Sequence, residues 1–425
     1  MRISLIFILG LSLLIPVAYA DKVRIIETTT DAAQVRVDLI QQAKRSIDAQ
    51  YYIVGDDYFT LAGLALLCDA ARRGCEVRLI VDGRSNKLSR SVHAELKRDG
   101  VAVKLYHPFT LAKLGAFLRR MHDKGLTVDR KYMIRGGRNA EGDYFGYWKR
   151  NFIDRDVYVE GKAVAQSIAY FNELWNSTEV ASVVVHDPAG RRADEGRKIL
   201  DAAREKLRVS RIVKLNTGNK WSAKARDVPP IDFLHDPIGK KNIEFGIAQA
   251  LRQSLRRTRN SVLIETPYLV PTRELFDDLA ELKKRGVKNI EMITNSINSN
   301  DELLVQLGYE TAKRKLLQLG VDLWEFNGPD TLHAKSAVLD DKIALIGSFN
   351  IDPRSQHLNT ETAVAIRDST TARQLRNNIK AHKRICTHIT ANQPIAREQA
   401  ASKSPLQRLK VSIFKALLPL LRAQL

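Results

Sequence analysis

Cysteine is scarce in this chain of 425 residues, which contains only Cys68, Cys75 and Cys386 and no Cys-x-x-Cys pair. Three cysteines cannot build a disulfide scaffold, and a zinc knuckle needs closely spaced pairs. Acidic residues are also few, 48 against 68 lysines and arginines, which gives a net charge of +20. This excess predicts an anionic partner, such as nucleic acid, an anionic lipid surface or a phosphate substrate. The hydrophobic share of 44% excludes wholesale disorder.

The first twenty residues have the pattern of an export signal. Arg2 precedes an apolar run over residues 3–17, and Ala18-Tyr19-Ala20 matches a signal peptidase site. The run is short for a membrane span, although an uncleaved anchor is the alternative. We therefore expect residues 1–20 to be a signal peptide and the protein to be exported to the periplasm. That space is oxidising, and whether Cys68 and Cys75 pair there stays open.

The last segment, residues 393–425, contains no acidic residue after Ser402. Counted at 100° per residue, five apolar side chains share one helix face, with three basic ones opposite: Leu406, Leu409, Ile413, Leu417 and Leu420 against Arg408, Lys415 and Arg422. The pattern predicts a linker followed by a basic amphipathic helix on an anionic phospholipid membrane surface. A helix docked on the protein core is the alternative.

The chain repeats itself at a distance of about 210–220 residues. Residues 43–54, AKRSIDAQYYIV, return as RRTRNSVLIETPYLV over 256–270. A helix end follows in both copies, Arg-Arg-Gly at 72–74 and Lys-Arg-Gly at 284–286. Helix and strand patterns alternate, which predicts parallel sheets covered by helices. We expect two α/β halves, 21–205 and 231–392, joined by a polar connector over 206–230 and packed with pseudo-twofold symmetry.

The strongest similarity between the halves is a chemical motif. His122, Lys124, Asp129 and Asn139 are matched by a second set with identical spacing, namely His333, Lys335, Asp340 and Asn350. One such motif is weak evidence, but two copies at equivalent repeat positions are strong evidence.

Histidine and lysine two residues apart project from the same face of a strand. A neutral imidazole can attack phosphorus, and a second, protonated imidazole can protonate the leaving oxygen. Lysines and asparagine amides can hold the non-bridging oxygens. Neither copy has the ligand cluster that a metal site needs, so we expect two-step phosphodiester chemistry through a phosphohistidine, with no metal and no cofactor. The structural alternative is two buried His–Asp pairs.

These residues resemble the phospholipase D superfamily, and within it the bacterial cardiolipin synthases, especially those of the C type. The resemblance rests on RMHDKGLTVD, GGRNAEGDYFG, ETPYLVP, TNSINSND and LHAKSAVLDDKIALIGSFNIDPRSQHLNTE. It implies two duplicated α/β lobes with the active site at their interface. His122 would be the nucleophile and His333 the general acid. Phosphate would be bound by Lys124, Lys335, Asn139, Asn350 and Ser348.

In this family an acid downstream of each motif orients a catalytic histidine. The matching candidates are Asp156 and Glu361. We expect Glu361 to serve His122 and Asp156 to serve His333, across the interface, with Asp154 as a competitor for the second role. A carboxylate on the far ring nitrogen would fix the tautomer and stabilise the imidazolium.

Four further positions carry expectations. Asp129 and Asp340 complete the two motifs and are expected to be structural, salt-bridged near the site. Gly137 stands where the second copy has Ser348, so only one half offers a hydroxyl there. Asp123, beside the catalytic strand, should face away from an anionic substrate.

Three functions remain open on the sequence. The resemblance implies a membrane-associated phosphatidyltransferase that makes cardiolipin from glycerophospholipids, or a lipid-hydrolysing phospholipase D. An exported nuclease of the same superfamily is the alternative, but the basic and aromatic residues are not interleaved as base stacking requires, so nucleic acid is an unlikely partner. A non-catalytic membrane protein would need a broken motif, and both are intact. No protein partner is predicted.

Overall fold

The computed structural model describes residues 21–108, 118–146, 151–185, 190–210, 212–239 and 246–390. The expected signal peptide and the expected tail helix lie outside these residues. Two α/β lobes follow each other along the chain, as the internal repeat predicted. None of the described helices is long and apolar enough to span a membrane. The three cysteines are free thiols.

The first lobe is built on a nine-stranded sheet with the order β10-β1-β8-β6-β5-β2-β3-β4-β9. Its elements, with β7 outside that sheet, are β1 Asp21–Ile26, α1 Thr29–Gln42, β2 Ser46–Tyr51, α2 Tyr58–Arg72, β3 Glu76–Asp82, α3 Arg90–Arg98, β4 Val101–Tyr106, β5 Lys124–Val128, β6 Tyr132–Gly136, β7 Phe152–Ile153, β8 Asp156–Glu160, α4 Lys162–Asn176, β9 Val180–Ser182, α5 Arg191–Ser210 and β10 Arg226–Val228.

The second lobe has an eight-stranded sheet with the order β11-β18-β17-β16-β12-β13-β14-β19. Its elements are β11 Asp232–His235, α6 Ile247–Arg257, β12 Ser261–Glu265, α7 Arg273–Lys284, β13 Asn289–Asn295, α8 Leu303–Gln318, β14 Asp322–Phe326, β15 Thr331–Leu332, β16 Ser336–Leu339, β17 Ile343–Gly347, α9 Pro353–His357, β18 Thr362–Ile366, α10 Ser369–His382 and β19 Cys386–Ile389. Without β10, the two sheets have the same strand order, which confirms the duplication.

The sheets are mixed, and the expectation of parallel sheets was wrong. Within the two large sheets, as far as the structure describes them, the parallel strands are β2-β3-β4 and β12-β13-β14. Each motif strand, β5 or β16, instead turns straight back into the next strand through two residues with positive φ, Asp129-Arg130 and Asp340-Asp341. Such a pair is typical of a type I′ hairpin, whose twist matches that of antiparallel strands.

The expected connector over 206–230 belongs to the first lobe rather than lying between the lobes. Strand β10 pairs with β1 at the edge of the first sheet. Trp221 is buried in the core of that lobe, and its indole N–H donates to Asp38 at 2.9 Å. A polar, turn-rich composition indicates a connection but not the surface on which it packs.

The faces of the two sheets pack against each other through one shared hydrophobic cluster. Met133 and Val157 of the first lobe belong to it together with Val338, Ile346 and Val364 of the second. A separate cluster lies on the outer face of each sheet, under the helices. The shared core fixes the lobes relative to each other and places the two motif strands on facing surfaces.

Candidate active site

Each motif histidine is held at the lobe interface by backbone hydrogen bonds to the other lobe. The His122 N–H donates to Thr360 O at 2.9 Å, and the Thr360 N–H donates to Arg120 O at 2.9 Å. In the second motif, the His333 N–H donates to Ile153 O at 2.7 Å, and β15 pairs in parallel with β7 just before it. Each histidine is therefore held by the backbone of the opposite lobe, and both half-sites depend on the lobe interface.

His122 contacts the carboxylate of Glu361, as expected from the resemblance. Its Nδ1 lies 2.9 and 2.8 Å from the two carboxylate oxygens. Ser348 and Ser355 donate their hydroxyls to the same carboxylate at 2.5 and 2.7 Å, and the Asn359 amide reaches it at 3.4 Å. A carboxylate held from several sides keeps the imidazole in one orientation, with the proton on Nδ1 and the lone pair on Nε2.

His333 contacts Asp154, so the expectation that Asp156 would serve it was wrong. Asp154 Oδ2 lies 2.6 Å from His333 Nδ1. Asp156 instead lies 2.9 Å from Arg36 and 3.1 Å from Arg138 and is fully buried in the first lobe. The reason is topological: Asp154 directly follows β7, the strand that pairs with the second lobe just before His333, whereas Asp156 begins the first-lobe strand β8.

The two motif lysines are buried beside their histidines. Lys124 Nζ donates to His122 O at 2.6 Å, and Lys335 Nζ lies 2.6 Å from His333 Nδ1 and 3.1 Å from its Nε2. Burial lowers the pKa of Lys335 to about 8. Burial also lowers the pKa of Lys124 well below its usual value, and the charge of Lys335 lowers it further. Because the charge of Lys335 acts on Lys124, an anion bound beside the two lysines would favour their protonated forms.

The electrostatics keep His122 neutral. Burial lowers its pKa well below the usual value, and the charges of Lys124 and Lys335 lower it further. The pKa of His333 is also lowered, by burial and by Lys335, while Asp154 acts in the opposite direction. Asp154 itself has a lowered pKa, since Lys335 and the His333 hydrogen bond outweigh the effect of burial.

The residues expected to hold phosphate differ in what they contact. The Asn139 amide donates to the Tyr144 hydroxyl at 2.8 Å and accepts the Ile53 N–H at 3.3 Å. Asn350 Oδ1 is buried and has no hydrogen-bond partner among the described residues. Ser348 uses its hydroxyl proton on Glu361. The structure therefore corrects the expectation for Ser348, which supports the carboxylate of the first half-site instead of facing phosphate.

The motif aspartates lie at the far ends of their strands, away from the histidines. Asp129 accepts the backbone N–H groups of residues 44–46 at 2.7–3.1 Å, and Asp340 accepts those of 259–261 at 2.7–2.9 Å. Both are structural, as expected. However, their partners are backbone amides at the start of β2 and β12 rather than basic side chains near the site.

Asp123 faces away from the site, as expected. Its carboxylate accepts the Tyr170 hydroxyl at 2.6 Å on the other side of the strand, and burial raises its pKa to about 6. Gly137 leaves room for the neighbouring carboxylate, because a Cβ at this position would overlap Asp154 Oδ1. The hydroxyl that distinguishes the second copy is absent from the first for this steric reason.

Aromatic side chains line the site, and the sequence reasoning missed them. The Tyr52 ring meets His122 edge-on at 4.9 Å between centroids, and Tyr268 meets His333 in the same way at 6.1 Å. Tyr144 places its hydroxyl 3.5 Å from His333 Nε2. The repeat held a signal for the first two, since both copies end in Tyr-x-Val, at 52–54 and 268–270.

The described residues contain no group of three or more His, Cys, Asp or Glu side chains that could hold a metal ion. Metal independence stays a prediction.

Comparison with known proteins gives this site a family. Residues 37–175 and 251–383 match the family described as "Cardiolipin synthase, PLD-like domain". The chain is 30% identical over 386 residues to cardiolipin synthase C of Escherichia coli, covering 82% of this chain and 81% of that protein. It is 27% identical over 410 residues to an uncharacterized protein of Helicobacter pylori strain J99, covering 86% of this chain and 80% of that protein.

Among solved structures, the phosphatidylserine synthase of Haemophilus influenzae superimposes with a TM-score of 0.71, covering 96% of this chain and 98% of that one. At 17% identity this likeness concerns the fold alone. The fold and the paired motifs define a phospholipase D-like protein. Within that class, the chain belongs to the cardiolipin synthase, PLD-like domain family.

Proposed function

We propose that this protein is a phosphatidyltransferase that makes cardiolipin by passing a phosphatidyl group from one glycerophospholipid to the hydroxyl of another. The observation that carries the proposal is the exchange of carboxylates between the lobes, with Glu361 on Nδ1 of His122 and Asp154 on Nδ1 of His333. In each half-site the carboxylate of the other lobe occupies Nδ1 of the histidine, so Nε2 is the nitrogen that reacts. The family membership and the E. coli relative named cardiolipin synthase C support the lipid substrate.

In the first step, His122 Nε2 attacks the phosphorus of the donor lipid. The P–N bond forms, the bond from phosphorus to the headgroup oxygen breaks, and His333 gives that oxygen a proton. The neutral state of His122 makes its lone pair available, and Glu361 stabilises the positive charge that develops on the ring. Lys124 and Lys335 offset the charge on the non-bridging oxygens. A bound phosphate also raises the pKa of His333, which favours its acid form.

In the second step, the hydroxyl of the acceptor lipid attacks the phosphorus of the phosphatidyl-histidine. His333, now neutral, takes the hydroxyl proton, the new P–O bond forms and the P–N bond breaks. Water in place of the alcohol gives the alternative activity, a lipid-hydrolysing phospholipase D. Which product forms depends on the oxygen that reaches the intermediate, so both products belong to one mechanism.

A phosphatidyl ester of p-nitrophenol separates the two histidine roles, because this leaving group departs without a proton. The His333→Ala variant should still release p-nitrophenol once and carry the lipid phosphate on the protein after a denaturing quench. The His122→Ala variant should do neither. With a natural glycerophospholipid, loss of the general acid should slow the reaction roughly 10²–10⁴-fold.

A matched control is His388→Ala, since this exposed histidine pairs with Asp322 at the outer edge of the second sheet. It should keep wild-type activity. Labelled phosphate on His122→Ala would refute the assigned nucleophile. Plasmid DNA offered in parallel tests the nuclease alternative, and cleavage of DNA with inert phospholipid would overturn the lipid proposal.

We also propose that the protein is exported to the periplasm and associates peripherally with the membrane, with its basic tail on anionic lipid. The net charge of +20 and the acid-free segment 402–425 support this proposal. Removing residues 402–425 should weaken sedimentation with phosphatidylglycerol vesicles, and unchanged sedimentation would contradict the role of the tail.

A further inference from the structure

Two loops of opposite charge flank the catalytic pair at equivalent positions of the two lobes. In the first lobe, the chain leaving β3 carries Arg84, and in the second lobe the chain leaving β13 carries Asp301. Both loops lie at the carboxyl ends of the parallel strands, the edge at which α/β sheets bind their ligands. The duplicated fold is therefore electrostatically asymmetric where substrates would enter.

The cationic side is fixed beside His122. Arg120 donates to both oxygens of Asp82 at 2.6–3.1 Å and to the Ser85 hydroxyl at 2.7 Å. Its guanidinium carbon lies 5.0 Å from the centre of the Tyr52 ring, and that ring meets the imidazole of His122 edge-on. A positive charge thus stands one aromatic ring away from the nucleophile.

Two more arginines, one from each lobe, lie near Arg120 and Asp82. The backbone N–H of Arg84 donates to the same Asp82 carboxylate at 3.1 Å, and Arg354 of the second lobe donates to Leu118 O at 3.1 Å. The pKa of Arg84 is lowered by burial and then by the charges of Arg120 and Arg354, with Asp82 opposing. Arginines from both lobes thus lie near one carboxylate, Asp82, which pairs with the Arg120 guanidinium, so positive charge exceeds negative charge there.

The acidic side lies beside His333. The Tyr268 hydroxyl donates to the Asp301 carboxylate at 3.0–3.1 Å, and the charge of Asp301 acts on both His333 and Lys335, favouring their protonated forms. Glu302 lies next to it and also feels the charge of Arg354. An additional anion is disfavoured on this side and favoured on the arginine side.

We propose that Arg84, Arg120 and Arg354 form a second anion subsite that binds the phosphodiester of the acceptor lipid. The inference rests on the proposed transfer reaction, in which two phosphate-bearing lipids meet at one site. Guanidinium groups present paired donors that match phosphate oxygens and hold them by charge-assisted hydrogen bonds. Water and glycerol carry no phosphate, so only an anionic acceptor depends on this subsite.

The test compares acceptors while the donor stays constant. The phosphatidyl ester of p-nitrophenol, in neutral detergent micelles, is offered with phosphatidylglycerol or with glycerol, and the products are separated. The variants are Arg84→Gln, Arg354→Gln and the pair together. Arg120 is left intact because its bonds to Asp82 hold the loop. The ratio of transfer to phosphatidylglycerol over transfer to glycerol should fall about 10-fold or more for each guanidinium removed, mainly through the KM of the lipid acceptor.

Two further measurements separate a built subsite from bulk charge. Arg90→Gln removes one exposed arginine at the start of α3 in the same lobe and should leave the ratio unchanged. Arg84→Lys should restore part of it. The soluble headgroup analogue glycerophosphoglycerol should inhibit transfer to phosphatidylglycerol at about 100-fold higher concentration in the double variant than in the wild type, since two guanidinium groups are removed.

The inference is overturned if the ratio is the same in the wild type and the double variant, or if Arg90→Gln lowers it equally. Equal inhibition of the wild type and the double variant by glycerophosphoglycerol would also overturn the inference. Failure of the proposed function looks different, because the wild type would then transfer the phosphatidyl group to neither alcohol.

Discussion

Replacing Glu361 with glutamine tests the exchange of carboxylates between the lobes. The substitution keeps the size of the side chain and removes the charge that faces His122 Nδ1 at 2.8 Å. Formation of the P–N bond puts positive charge on the ring, so the loss falls on the transition state. A charge-assisted hydrogen bond contributes about 1.5–3 kcal/mol. The first step should therefore slow about 10- to 150-fold.

The comparison variant is Asp340→Asn, because Asp340 belongs to the sequence motif but lies at the far end of its strand. It accepts three backbone N–H groups at 2.7–2.9 Å. Losing its charge should lower the free energy of unfolding by about 1–3 kcal/mol and leave the rate per folded molecule within about twofold.

The assay is single-turnover release of p-nitrophenol from the phosphatidyl ester, with urea unfolding measured on the same preparations. A Glu361→Gln enzyme that keeps the wild-type rate would refute the functional role of the contact between the lobes. If Asp340→Asn slowed the release of p-nitrophenol as much as Glu361→Gln does, the purely structural role assigned to Asp340 would be refuted.

Three more results are expected. The value of kcat/KM should fall above about pH 8, because burial lowers the pKa of Lys335 to about 8 and its ammonium is lost there; a flat profile to pH 9 would contradict this. Gly137→Ala should cost activity and stability together, measured by turnover and urea unfolding, because the added Cβ displaces Asp154. His382→Gln should destabilise the fold more at pH 6 than at pH 9. Burial lowers the pKa of His382, but the ion pair with Glu265, at 2.6 Å, outweighs this effect and raises the pKa above its usual value. The ion pair therefore stabilises the fold below pH 6.5, and this stabilisation is lost as the pH rises through the folded-state pKa. A difference independent of pH would speak against the ion pair.

The repeat and the paired motifs were readable from the sequence because both depend on local patterns. The His-x-Lys spacing places both side chains on one face of an extended chain, and Lys124, the first residue of β5, and Lys335, directly before β16, each contact their motif histidine. The hairpins were missed although their signal is local: Asp129-Arg130 and Asp340-Asp341 each separate two apolar runs, and both adopt positive φ. The three residues between the paired positions Val128–Tyr132 and Leu339–Ile343 form a tight turn that reverses the chain, so the strands run antiparallel.

The partners of the motif residues depended on the tertiary structure. Asp154 and Asp156 lie two residues apart, and only the pairing of β7 with β15 shows which of them reaches His333. Ser348 occupies a motif position typical of phosphate binding, yet its direction follows from the packing around Glu361. The His333–Asp154 and His122–Glu361 contacts join residues 179 and 239 positions apart in the chain, and such contacts leave no local pattern.

The sequence alone determined that this chain is a duplicated α/β protein with two His-Lys-Asn sets, because strand periodicity and repeated spacing are properties of the chain itself. The tertiary structure decided which acid orients which histidine and where the surplus charge lies. The physical reason is that hydrogen bonds and Coulomb forces act through space. Arg84 and Arg354, distant in sequence, come near each other only when the two lobes pack together, and the proposed anion subsite depends on that packing.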